Sequence, residues 1–319
     1  MELIENADRV ASLTGGAVFY KRWLSSSRLL LLTLVPESAD YCMSVFECTS
    51  QKNEALNIPS GLQPIARIVP MRCFNTRGEL MDEDRFLLWP QVYVSPDRLH
   101  ACWLNTNYEW SFCNLPELAV TQQQCSGSPI PEECGAWVSN TVFVVPVSTR
   151  SSKWIRGVNS YHIGEPNASF TRTSRFRNGT VMGASSGGNV YVESRRATEK
   201  VITKTVHKLS VMNLETGIVS ICADALPLTN DLRVDQIALC PVTSRIARIL
   251  SSDDGTRKTY RLCVSDGRTV TLDADLGDLP SPSSKEIMLG GYGIYDLEWA
   301  PDGSGITYIY MKDVYKFAI

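Results

Sequence analysis

A recurring order of short strands and turns limits what this chain can fold into. Tyr295-Asp296-Leu297-Glu298-Trp299-Ala300-Pro301-Asp302-Gly303 reads as a strand closed by a Pro-Asp-Gly turn, and it leads into two further strands at 306–311 and 313–319. The same order recurs at 91–97, where Ser95-Pro96-Asp97 forms the turn, followed by strands at 99–104 and 108–113. A looser copy runs through 235–241 into 245–250 and 260–264. Proline presets φ at such a corner and glycine accepts φ values other residues avoid, so these turns reverse the chain after a few residues. No stretch keeps a 3.6-residue apolar period for three turns, which predicts an all-β chain.

A second element repeats as a hairpin. Leu214-Glu215-Thr216-Gly217 joins strands at 209–213 and 218–223, and Ser265-Asp266-Gly267 joins strands at 262–264 and 269–272. A looser version links 43–47 to 55–58 through 49–53.

Strand, Ser/Ala-Pro-Asp turn, strand, strand ending in Leu-Glu-Thr-Gly, strand: this order resembles the four-stranded blade of WD-repeat and TolB-like β-propellers. The Trp-Asp pair that ends the third strand of a WD repeat is absent. The resemblance implies one domain over 1–319, a propeller of about six four-stranded antiparallel blades, with seven as the alternative. By these marks the blades fall at 16–60, 86–123, 134–163, 168–225, 232–275 and 292–319, and the Pro/Ser/Gly-rich stretches 114–133 and 276–291 read as connections between them. The last blade supplies three strands, while segment 8–13 precedes the first complete blade with no partner of its own. An N-terminal strand that completes the last blade would close the ring and cover its bare edge.

Composition narrows the partners. A formal net charge of -3 and a pI of about 5.7 give no global pull toward nucleic acid or an anionic membrane. The longest apolar run, 29–35, stops at Pro36, well short of the roughly 20 residues that cross a bilayer. The acidic start, Met1-Glu2-Leu3-Ile4-Glu5-Asn6, has no basic region followed by an apolar stretch, so the expected compartment is cytoplasm or nucleus. The sequons at Asn167 and Asn178 would matter only on the secretory route. Of ten cysteines, Cys42, Cys48, Cys102, Cys222, Cys240 and Cys263 sit in apolar strands and read as reduced core residues, whereas Cys125 and Cys134 flank a Ser/Gly/Pro loop and could bridge in a secreted chain. Three histidines and no Cys-x-x-Cys spacing predict neither a structural zinc nor any other cofactor.

Several motifs have a chemical reading beside a plainer one. Gly183-Ala184-Ser185-Ser186-Gly187 fits the nucleophile-elbow pattern, yet a strand follows where the elbow needs a helix, so Ser185 is expected to be a turn residue and no nucleophile. The acidic pair Asp253-Asp254, the acids within 79–84, and Asp273 with Asp275 read as solvated charge, since a calcium loop needs more oxygen donors in register. His207 has no identifiable catalytic partner. Trp103, Tyr108, Trp110, Trp154 and Tyr161 suit a sugar or peptide surface but equally fill the wedge between sheets, and core packing is the expected role.

Charge distribution carries the functional expectation. Residues 171–208 hold eight basic and two acidic side chains, a local net of +6, while 271–302 hold seven acids and one lysine, a local net of -6. Guanidinium forks suit carboxylates and phosphates. Arg172, Arg175, Arg177, Arg195, Arg196 and Lys200 are therefore the expected contact residues for an acidic or phosphorylated segment of a protein partner. Arg195 and Arg196 are placed at a turn before a strand carrying Lys200, Lys204 and Lys208; Arg175 and Arg177 share a strand face, with Arg172 opposite or in the preceding loop. The predicted role is a non-enzymatic scaffold, a monomeric ring within a larger complex. The alternatives are a lyase, hydrolase or cyclase working in a central funnel, and a glycan-binding lectin.

Overall fold

A computed structural model describes residues 7–11, 17–35, 40–58, 67–71, 84–88, 92–105, 109–115, 119–123, 135–148, 154–177, 180–184, 189–197, 205–221, 233–254, 256–266, 269–280, 294–310 and 313–319. Among them every helix or strand is a strand, and six four-stranded antiparallel sheets form. β1 is Ala7–Ala11. The first sheet joins β2 (Ala17–Trp23), β3 (Arg28–Val35), β4 (Asp40–Glu47) and β5 (Lys52–Ala55). A separate hairpin follows, β6 (Arg67–Met71) with β7 (Asp84–Leu88). The second sheet holds β8 (Val92–Val94), β9 (His100–Leu104), β10 (Trp110–Asn114) and β11 (Ala119–Gln123), and the third holds β12 (Ala136–Trp137), β13 (Val142–Ser148), β14 (Trp154–His162) and β15 (Ser169–Arg177). The fourth is β16 (Thr180–Ala184), β17 (Asn189–Ala197), β18 (Thr205–Asn213) and β19 (Val219–Ile221). The fifth is β20 (Arg233–Leu239), β21 (Ile246–Asp253), β22 (Arg257–Ser265) and β23 (Val270–Pro280). The sixth takes β24 (Ile294–Trp299), β25 (Gly305–Tyr310) and β26 (Asp313–Ala318), and its outer strand is β1, with Ala7 opposite Phe317 and Asp8 opposite Lys316.

Burial explains the strand compositions. Leu29, Leu30, Leu31 and Leu32 of β3 are all buried although they alternate between faces, and β25 is buried along its whole length. A second strand flanked by pairing strands and covered by neighbouring sheets on both faces reads as a continuous apolar run. The outer strand β5, Lys-Asn-Glu-Ala, is exposed throughout. The apolar clusters lie between consecutive sheets: Leu30, Met43 and Tyr20 of the first meet Val92 and Trp103 of the second, and Trp23 and Phe46 of the first meet Ile309 and Val314 of the sixth. The innermost strands neighbour one another in the order β2, β8, β12, β16, β20, β24 and back to β2.

Three tryptophans at the end of innermost strands reach back to the preceding sheet. Trp137 Nε1 donates to the Tyr93 carbonyl at 3.0 Å, Trp299 Nε1 to the Ala238 carbonyl at 3.1 Å, and Trp23 Nε1 to Thr307 Oγ1 of the sixth sheet at 3.1 Å. Each indole buries its rings and satisfies its one donor in the same step. The turn after Trp299 is equally constrained: Gly303 has φ of 71, and a Cβ there would stand 2.5 Å from the Val242 side chain.

The expected blade limits need four corrections. Phe86 lies in β7, paired with Val69, and not in the second sheet. Segment 114–133 is not all connection, because β11 lies within it as the second sheet's outer strand. β23 runs on to Pro280, into the stretch expected to begin a connection at 276. Residues 169–177 complete the third sheet instead of opening the fourth: Gly164, at φ of 84, lets the chain turn straight back from β14 into β15. The six cysteines described are all free, with Cys102, Cys113, Cys240 and Cys263 buried and Cys42 and Cys48 only half-buried; Cys125, Cys134 and Cys222 lie outside the described residues. Burial pushes the Cys113 thiol up to about 11 and Cys102 well above its ordinary range. Iodoacetamide at pH 8 is therefore expected to leave Cys102 and Cys113 unmodified in the folded chain and to label both after denaturation; rapid native labelling of Cys102 would contradict this burial.

Candidate functional site

The basic residues come from two neighbouring sheets. Arg172, Arg175 and Arg177 all lie on β15, the outer strand of the third sheet, so Arg172 is in the strand and not in a preceding loop. Arg172 stands opposite Gly157 and Arg177 opposite Trp154, but the register slips between them: β14 advances from 155 to 157 while β15 goes from 176 to 172. Arg172 and Phe170 are exposed, Phe170 at 56%, where its ring covers the bare Cα of Gly157.

Arg195 and Arg196 are not at a turn. They lie inside β17, opposite His207 and Val206 of β18, in a hairpin paired without a break from Asn189–Asn213 to Ala197–Thr205. The polarity that suggested a turn is the polarity of a hairpin extending past its apolar portion; a paired strand needs no buried face there. β18 begins at Thr205, so of the three expected lysines it carries Lys208 alone, while Lys200 and Lys204 lie outside the described residues. The outer strands β15 and β19 approach one another, which sets the two arginine groups on adjoining sheets.

The acidic stretch is largely compensated by other strands. Asp273 pairs with Arg261 and Asp278 with Arg257, both from β22. Asp254 caps its own turn, accepting from Thr256 and the Arg257 amide, and the Thr256 hydroxyl leads the contacts that hold its carboxyl at about 2. Gly183 and Ala184 end β16 and Asn189 opens β17, its antiparallel partner, so a strand follows this motif; Ser185 itself lies outside the described residues. Trp103, Trp110 and Tyr161 are buried between sheets, Tyr108 lies outside the described residues, and Trp154 starts β14. Among the described residues no three His, Cys, Asp or Glu gather as a metal site, and no helix is long and apolar enough to cross a membrane.

A second charged group stands where β2 lies between β8 and β24. Lys21 is fully buried. Its amide donates to Asp296 Oδ2 at 2.7 Å, the Trp23 amide donates to Glu298 Oε1 at 3.2 Å, and Lys21 Nζ reaches Glu298 Oε2 at 3.5 Å. Lys21 and Trp23 alternate along the free edge of β2, so the two carboxylates cap donors that no strand pairs. Arg22 Nη1 donates to Asp296 Oδ1 at 2.7 Å and to the Lys21 carbonyl at 2.5 Å, with its guanidinium 3.8 Å from the Tyr20 ring centroid. Burial pulls the Lys21 pKa down more than the two acids restore it. For Arg22 burial is outweighed by Asp296, with Tyr20 and Glu298, and its pKa is raised. Arg98, in the turn between β8 and β9, points in from the second sheet with Nη1 3.9 Å from Glu298 Oε1. Sequence reasoning did not group these residues. The available signal was the interruption of inner strands by charge just before the strand-end tryptophans, in Lys21-Arg22-Trp23 and in Asp296-Leu297-Glu298-Trp299.

Sheets of four antiparallel strands, joined through their innermost strands, define a β-propeller, and comparison with solved structures gives the same class. The β-propeller domain of Myceliophteria thermophila Cps50 (Swd1) matches with a TM-score of 0.53 at 10% identity, covering 98% of this chain and 99% of that one. U3-55K matches at 0.51 and 10% identity, over 98% of each chain. An oligogalacturonate lyase from Vibrio parahaemolyticus matches at 0.51 and 9% identity, over 100% of this chain and 96% of that one. At such identities the likeness is one of fold, and it bears out the propeller resemblance read from the blade pattern. No family model matches the sequence, and no curated protein matches it.

Proposed function

We propose that the six sheets are the blades of one closed ring forming a single domain, and that the ring is a non-enzymatic platform holding an acidic or phosphorylated segment of a partner protein. One observation carries this reading: β15 is a nine-residue outer strand, Ser-Phe-Thr-Arg-Thr-Ser-Arg-Phe-Arg, with three arginines, no acid, and Arg172 beside an exposed Phe170. Arg177 ends this strand, and Arg195 and Arg196 stand near the end of the adjoining β17, both beside the second-to-third-strand turns of their sheets. Blades packed side by side in one orientation bring those ends to one rim, where the guanidinium groups suit an extended anionic segment. Lys200, between β17 and β18 in sequence, adds to the same rim in this reading.

The triple variant Arg175→Glu, Arg195→Glu, Arg196→Glu is expected to bind a fluorescein-labelled Glu/phosphoserine peptide at least ~10-fold more weakly than the native chain at low ionic strength, with an unchanged melting temperature. Equal anisotropy titrations of the two proteins would remove the proposal.

A further inference from the structure

Among the described residues only Gln51, Arg98 and Asp296 combine a side chain with positive φ, and two of these three meet in the group around β2. Asp296, at φ of 55, is committed to the Lys21 amide and to Arg22. Arg98, at φ of 64, is not committed. Its backbone is held in the turn by a 2.9 Å hydrogen bond from its amide to the Ser95 carbonyl, yet Nε is buried with no hydrogen-bond partner. Its approach to Glu298 is 3.9 Å, too long for a hydrogen bond, and the Glu298 oxygens already serve the Trp23 amide and Lys21. The neighbouring Asp97 is engaged by the Ser95 hydroxyl and the Leu99 amide. Burial lowers the Arg98 pKa, and Glu298 and Asp97 only partly offset it. Strained residues persist where the surroundings impose them, and a buried donor left unpaired is a cost that a ligand can remove.

We propose that Arg98 is the receptor of a small-carboxylate site at the centre of the molecule, where the turn between β8 and β9 faces β2 and β24. Lys21, Arg22 and Arg98 share the carboxylates Asp296, Glu298 and the neighbouring Asp97, so formal charge is balanced and what the group leaves unmet is the buried Arg98 Nε donor. A carboxylate fits a guanidinium edge in plane and takes up that donor with the least added charge; a dianionic phosphate beside these carboxylates would be repelled more strongly. The side chain is 18% exposed, so Arg98 can exchange its long contact with Glu298 for the ligand. The site is independent of the basic rim on β15 and β17.

The test is thermal melting of the full chain in acetate, phosphate and chloride at matched ionic strength. Acetate is expected to raise the native melting temperature saturably, by about 5 °C at high occupancy. Arg98→Gly, which relieves the positive φ and removes the unpaired donor, is expected to melt higher than the native chain in chloride and to lose the acetate response; Arg98→Asn, which tolerates the same backbone, loses the response as well. Acetate stabilising either variant as much as the native chain overturns the site, as does acetate acting no more than chloride. A larger effect of phosphate than of acetate overturns the carboxylate assignment.

Discussion

Removal of residues 1–14 is expected to abolish cooperative unfolding of this protein. β1 supplies the outer strand of the sixth sheet, opposite β26, and Ala11 is buried in the cluster that joins Trp23, Leu29 and Phe46 of the first sheet to Ile309 and Val314 of the sixth. Without β1, β26 becomes an edge with unpaired donors and acceptors, and the contact between the first and last sheets loses part of its core. Each ladder hydrogen bond contributes about 1 kcal/mol net, and a strand's worth of them with its apolar contacts is comparable to the ~5–15 kcal/mol that holds a whole domain together. The truncated chain is expected to unfold without a sharp midpoint and to self-associate, because an uncovered edge strand pairs with other chains. Calorimetry and light scattering decide this: a truncated protein that melts as one sharp, concentration-independent transition near the native temperature shows that β1 is dispensable.

Asp296→Asn is expected to destabilise the fold by about 3–5 kcal/mol, while Asp273→Asn stays within about 0.5 kcal/mol. The two substitutions delete the same charge and differ only in surroundings. Asp273 and its partner Arg261 are 43% and 46% exposed, where water screens an ion pair and replaces it when broken. Asp296 is 8% exposed and accepts from the Lys21 amide at one oxygen and from Arg22 at the other; asparagine keeps one acceptor, turns an NH2 donor toward the second partner, and leaves Arg22 and the buried Lys21 short of compensating charge. Asparagine also tolerates the positive φ, so backbone strain does not confuse the comparison. Urea unfolding of both variants gives the two values, and equal losses at the two positions would show that the inner group does not lock β2 to β24.

Much of the fold was legible along the chain. Period-two strands with Pro-Asp-Gly or Leu-Glu-Thr-Gly turns are local devices, and Trp299-Ala300-Pro301-Asp302-Gly303 becomes a strand end and turn for reasons contained in those residues. The same holds for the run 29–35, whose lack of any polar face marks a strand covered on both sides, as β3 is. The partnership of segment 8–13 with the end of the chain followed from counting strands against edges. Outer strands were harder to assign: β11, β15 and the end of β23 are rich in polar residues in sequence, so nothing in their own residues distinguishes a paired rim strand from a connection.

By itself, then, the sequence determined the strand class, the turns, the stacking of like sheets and the concentration of arginine in one region, because each depends on neighbours a few residues apart. Only the tertiary structure decided that Lys21, Arg22 and Trp23 face Asp296 and Glu298, 274 to 277 positions away. Only it showed that Asp273 and Asp278 of β23 pair with Arg261 and Arg257 of β22, and that Arg98 Nε is buried without a hydrogen-bond partner. A charged side chain on a strand looks the same in sequence whether it meets water or a carboxylate from the far end of the chain, and only the packing of the first sheet against the last chooses between them.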